Sequence, residues 1–119
     1  MTLIIRPATL ADIRQMAEIA GPPVTAQGLA AWMDGDSAHA AWHLVEDESG
    51  CLLGFQHIGR TDALPAEACE IATFLEPAPL PFGAAASLFD ATAQAAHRLR
   101  YRWISAQVAE ENSAARIYY

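Results

Sequence analysis

Residues 76–83, Glu76-Pro77-Ala78-Pro79-Leu80-Pro81-Phe82-Gly83, constrain this chain more than any other stretch. Three prolines at alternate positions supply no N–H donors to a strand ladder, so a chain arriving from a sheet must leave it here. The run before them, Cys69 to Leu75, is apolar and strand-like. The run after them, Ala84 to Leu99, is alanine-rich, with Leu88, Ala91 or Thr92, Ala95 and Leu99 at helical spacing. Trp103 to Val108 reads as the next strand. A strand, a turn, a helix and a strand in sequence make a crossover unit whose two strands run parallel.

The rest of the chain assembles around that unit. Leu3 to Arg6 is a short apolar strand closed by Pro7. Thr9 followed by Asp12 resembles a capping box with a shorter acid, and Leu10, Ile13, Ala17 and Ala20 then follow helical spacing. Gly21-Pro22-Pro23 stops that helix, and a second is expected from Thr25 through Trp32 and Met33. Ala41 to Glu46 alternates, Asp47-Glu48-Ser49-Gly50 supplies turn chemistry, and Cys51 to Arg60 is extended, which together predict an antiparallel hairpin. Gly54 inside its second strand signals a bulge or a close backbone approach. Asn112 caps a final helix from Ser113. The order is β-α-α-β-β-β-α-β-α, an α/β (α+β) fold with a mixed, twisted sheet and helices on both faces.

Composition narrows the function classes. The 119 residues suit one domain over 1–119, and no apolar run approaches the ~18 residues of a membrane span. Met1 to Ile5 reads as a strand rather than a secretion signal, so the expected location is cytoplasmic. The net charge is −7 and all seven basic residues are arginines. Such a surface repels nucleic-acid backbones, and it either draws in an amine or serves ordinary solubility. Cys51 and Cys69 lie in strand-like runs and are expected as buried free thiols. His39 and His43 are four apart in an alternating run, so no metal site is expected.

The turn at Gly83 proposes a site. A strand ending in a small-residue turn that opens a helix presents unpaired N–H groups at the helix's positive end, which suits phosphate. Gly83 permits positive φ, and Ala84, Ala85 and Ala86 keep the entrance free of bulk. Read from these residues alone, the turn serves phosphate binding or merely starts a helix.

Further features resemble the GNAT superfamily of acyl-CoA-dependent N-acetyltransferases over essentially the whole chain. Ile4-Ile5-Arg6-Pro7-Ala8-Thr9 with Ala11-Asp12-Ile13 looks like that family's first strand and helix. Leu75-Glu76-Pro77 sits where its fourth strand closes. Its pyrophosphate motif, Gln/Arg-x-x-Gly-x-Gly/Ala, falls on Leu80 to Ala85, and Asn112 to Tyr119 resembles its Asn-x-x-Ala-x-x-x-Tyr helix. Leu80 stands in place of Gln or Arg, and Pro81 removes one N–H donor.

The resemblance implies a mostly antiparallel GNAT-like sheet and acetyl-CoA as co-substrate. It implies direct transfer of the acetyl group to an amine of a small molecule or peptide. Phe74 and Leu75 would hold the pantetheine arm through their backbone groups, and Phe82, Gly83, Ala84 and Ala85 the pyrophosphate. Asn112 would contact the arm or act as a plain helix N-cap. Tyr119 would protonate the leaving thiolate, and Glu70 would be the base, with His57 a second candidate. Trp32, Trp42 and Trp103 are expected as core or pocket wall. The family continues into two further strands where this sequence stops at Tyr119, so either the sequence is a fragment or the missing sheet edge comes from elsewhere, for which a homodimer through the exposed edge is one hypothesis. The alternative is a catalytically inactive GNAT-like domain that binds acyl-CoA or serves as a dimerisation module. An unrelated α+β ligand-binding domain is a third reading.

Overall fold

The computed structural model describes residues 2–35, 38–77 and 80–106. Strand β1 spans Leu3–Pro7, and a short 3-10 turn at Leu10–Asp12 leads into helix α1, Ile13–Ala20. Asp12 reaches back to accept the Thr9 N–H at 2.8 Å, which is the acid's half of the expected capping box. The 3-10 turn rotates the first residues away from the helical stripe. Leu10 is consequently exposed, and Met16 joins Ile13 as the buried face.

Arg6 locks this entry to the sheet. Its guanidinium grips both oxygens of Asp12 at 2.7 and 2.9 Å and reaches Glu46 at 3.0 Å. The Arg6 bond is the main reason the Asp12 carboxyl is held down to about 2 from 3.8. Because the folded pKa is depressed, this stabilisation is complete above the unfolded value and is lost as pH falls from about 4 towards 2. The shift corresponds to about 2 kcal/mol. The variant Asp12→Asn is expected to lose about that much at neutral pH and to flatten the acid limb of a stability profile measured by urea unfolding.

Helix α2, Ala26–Met33, begins at Thr25, whose hydroxyl accepts the Gly28 N–H at 3.0 Å. Strands β2, Ala41–Asp47, and β3, Leu52–Gly59, form the expected hairpin. Asp47 organises its turn by accepting from the backbone of Ser49 and Cys51 at 2.9 and 3.0 Å, and Gly50 takes a left-handed φ of 88°. Cys51 belongs to this turn rather than to the strand. It is therefore exposed, against the expectation of a buried thiol, whereas Cys69 is buried.

Strand β4 is Ala68–Leu75, helix α3 is Ala84–Arg98 and strand β5 is Trp103–Ala106. The sheet order is β1-β2-β3-β4-β5. The first three pairings are antiparallel and β4–β5 is parallel, as the crossover requires. The last expected helix, from Ser113, lies outside the described residues. Among those described, no helix is long and apolar enough to cross a membrane.

Strand alternation divides the core between two faces. Trp42, Leu44 and Phe55 pack under α1 and α2 with Ile13, Met16 and Leu29. Val45, Ile58, Cys69 and Ile71 meet α3 through Ala84, Leu88, Ala95 and Ala96. Of the two residues open for the α3 stripe, Thr92 is the buried one, and its hydroxyl donates to the Leu88 carbonyl at 3.1 Å. After α3 the chain closes with Arg100 at a left-handed φ of 70° and a Tyr101 N–H bond to the Ala96 carbonyl at 3.0 Å. Glycine occupies that conformation without a Cβ penalty, so Arg100→Gly is expected to raise stability by about 1 kcal/mol in thermal unfolding.

Candidate functional site

Two glycines shape the end of β4. The β2–β3 register slips between Val45 and Glu46, since Val45 faces Gly54 while Glu46 faces Leu52. Both readings of Gly54 therefore hold. A bulge leaves Leu53 as the extra residue, and a Cβ on Gly54 would lie 2.9 Å from the Phe74 carbonyl oxygen. Only glycine lets β3 approach β4 this closely. The close approach fixes Phe74 and Leu75, whose partners across the ladder are Phe55 and Gly54. The Phe74 ring stacks on Phe55 at 4.7 Å beneath α1 and α2, whereas Leu75 packs on the α3 side.

Beyond Pro77 the chain turns into α3. Gly83 is the N-cap, at φ 84° and ψ −5°, and a Cβ there would meet nothing within 4 Å. The Ala84 N–H bonds the Pro81 carbonyl at 3.1 Å, and the first bond of full helical span is Ser87 N–H to Gly83 carbonyl at 2.9 Å. Ala85 and Ala86 thus lie in the first turn of α3, ahead of that bond. The first turn carries no acid, and His97 and Arg98 occupy the last, so side-chain charge opposes neither end of the helix dipole.

Leu80 and Phe82 take opposite parts here. Leu80 packs against the Val45, Ala84 and Leu88 cluster and anchors the turn apolarly, where the resembling motif carries Gln or Arg. Phe82 projects fully into solvent beside the glycine.

Glu70 lies half-buried on β4, paired with Gly59 on one side and Ser105 on the other. Alternation along β4 puts it on the face that carries Phe74, away from the α3 side where Cys69 and Ile71 pack. His57 joins that face. Its ring contacts Trp32 at 4.6 Å and Trp42 at 4.3 Å between centroids. It also leans over Gly59, the partner of Glu70, where a Cβ would sit 2.9 Å from its Cε1 and Nε2 atoms. Burial pushes the His57 imidazole down to about 4. Loss of solvation in this aromatic pocket is the cause, and it makes His57 a weaker base than an ordinary imidazole.

The sheet brings Glu70, Phe74 and Leu75 onto one strand, and the proline turn places Phe82, Gly83, Ala84 and Ala85 at its end. Asn112 and Tyr119 lie outside the described residues. Of the tryptophans, Trp42 is buried and Trp32 half-exposed, but Trp103 is exposed rather than core, because it starts the strand at the sheet's end.

Solved structures match this arrangement closely. An N-acetyltransferase from Staphylococcus aureus Mu50 superposes with a TM-score of 0.84 at 22% identity, covering 99% of this chain and 80% of its own. The acetyltransferase yncA from Salmonella typhimurium, solved with acetyl-CoA, gives 0.83 at 20% identity, covering 98% and 75%. The fold is the GNAT fold. A GNAT superfamily phosphinothricin acetyltransferase from Sinorhizobium meliloti, in complex with acetyl-CoA, gives 0.82 at 20% identity, covering 99% and 72%. No family model matches the sequence, and no curated protein matches it. At such identity the likeness is one of fold.

Proposed function

We propose that the chain is an N-acetyltransferase that uses acetyl-CoA and acetylates an amine of a small molecule or peptide within a ternary complex. The observation that carries this reading is the left-handed Gly83 turn, which opens α3 directly beyond the β4 end. The open space at the Gly83 Cβ position and the acid-free first turn suit a pyrophosphate. Glu70 lies five residues before Leu75, roughly 17 Å along the strand. A phosphate held at Gly83 and a group reacting beside Glu70 therefore need an extended arm between them. That requirement fits a pantetheine-linked acyl donor running past Phe74 and Leu75. Ala84 would contribute through its place at the helix end, since its N–H already has the Pro81 carbonyl.

The chemistry divides among these residues. The amine nitrogen attacks the thioester carbonyl, a C–N bond forms and the C–S bond breaks. Glu70 takes the amine proton, and Tyr119 protonates the departing thiolate. Asn112 contacts the donor's arm. The surplus of acidic side chains favours approach of a cationic acceptor.

Calorimetric titration with acetyl-CoA tests the reading. Saturable one-to-one binding is expected, and absence of heat at millimolar ligand would remove it. Glu70→Gln should then lower turnover while leaving acetyl-CoA affinity unchanged. Binding without transfer to any amine would favour the catalytically inactive, acyl-CoA-binding alternative, to which Leu80 and Pro81 lend support.

A further inference from the structure

A cavity opens at the end of the sheet opposite the Gly83 turn. It has a volume of about 340 Å³ and is lined by Pro7, Trp32, Met33, Trp42, His43 and Arg98, among others. It forms because β1 stops early. Pro7 is the last β1 residue in register, opposite His43, and the chain then swings away with the Ala8 N–H bonded to the Trp42 carbonyl. β2 runs on to Ala41 without β1 beside it. The C-terminal ends of α2 and α3 overhang the gap from opposite faces.

The lining is apolar and aromatic apart from two groups. His43 is only 8% exposed, and its Nδ1 is buried with no hydrogen-bond partner among the described residues. A buried polar atom left in that state costs free energy unless something satisfies it. Arg98 is the second group. It is exposed, and no carboxylate pairs with it among the described residues, in a chain with 14 acids and seven arginines. Burial, and after it the nearby Arg98 charge, lower the His43 pKa.

These features define a ligand. The volume lies at the lower end of the range for small-molecule pockets, which is roughly 300–1,000 Å³. The Trp32 and Trp42 rings meet edge to face at 4.7 Å and offer a wall to a flat apolar body. A guanidinium without an acid partner calls for a carboxylate, which it binds in a planar fork. We propose that this cavity is a binding site for a small aromatic carboxylate, separate from the Gly83 turn. It stands whether or not acetyl-CoA binds at α3, because the two sites share no residue.

Phenylacetate is a suitable probe, with benzylamine and benzyl alcohol as matched controls of opposite and zero charge. Binding is read by calorimetry and by tryptophan fluorescence in a Trp103→Phe background, which removes the exposed indole outside the cavity. Phenylacetate is expected to bind and to change the emission of Trp32 and Trp42, and neither control should do so. Arg98→Gln should weaken phenylacetate binding by at least about tenfold, and Arg98→Lys should lose less. Arg98 is exposed on the last turn of α3, and an unchanged melting temperature in both variants verifies their folding. Full affinity in Arg98→Gln, equal binding of benzylamine, or no phenylacetate binding at millimolar concentration would each overturn the assignment.

Discussion

Acetyl-CoA at about 100 times its dissociation constant is expected to stabilise the protein by about 2.7 kcal/mol, a rise in melting temperature on the order of 10 °C. Substitutions at Gly83 should abolish that response. Valine there would place two branches of bulk where the helix N-terminus now lies open, and it would carry the strain of a β-branched residue at φ 84°. Strain alone lowers the melting temperature of the free protein without bearing on the ligand. Gly83→Asn separates the two effects, because asparagine tolerates the left-handed region while still covering the helix end. Both variants should show no acetyl-CoA shift, with asparagine retaining more of the free protein's stability. A full shift in Gly83→Asn would remove the proposed cradle even if the wild-type protein binds.

Phe55→Ala is expected to be the most damaging single change in the core, at about 3–5 kcal/mol. Phe55 is fully buried at the centre of β3, with its ring between Trp42 at 6.3 Å and Phe74 at 4.7 Å. Truncation leaves a ring-sized void that the flanking strands cannot close, since their spacing is fixed by backbone hydrogen bonds. Phe74 would lose its stacking partner just before the β4 end. Chemical denaturation should therefore show a lowered midpoint with an unchanged slope. Acetyl-CoA affinity should weaken as well, because the strand that presents Phe74 and Leu75 is no longer buttressed. A loss below about 1 kcal/mol would mean that the aromatic row is not the keystone of this face.

Much of the architecture was legible because local chemistry decides it. Three alternate prolines end a strand wherever they occur, and Gly21-Pro22-Pro23 ends a helix. Asp47 to Gly50 make a turn from their own side-chain and backbone bonds. Where reading along the chain failed, side-chain bonds or packing that residue spacing does not encode had decided the outcome. Leu10 was placed on the helical stripe by spacing, but Arg6 and Thr9 draw Asp12 into a tight turn that swings Leu10 into water. Cys51 was assigned to a strand that begins one residue later. By residue type His57 has ordinary imidazole basicity, and burial against Trp32 and Trp42 lowers it.

The sequence by itself determined that a strand must leave the sheet before Gly83 and that a helix must start there, because proline and glycine act through their own covalent geometry. The left-handed turn at Gly83 follows from that. Tertiary structure decided what surrounds it. Leu80 becomes an apolar anchor because Val45 and Leu88 meet it from β2 and α3. Glu70 and His57 share a face because the β3–β4 register aligns Gly59 with Glu70. Arg98 and His43 line one cavity because β1 ends at Pro7 and exposes the start of β2. Burial and electrostatic fields depend on residues far apart in the chain, and these exist only once the sheet has formed.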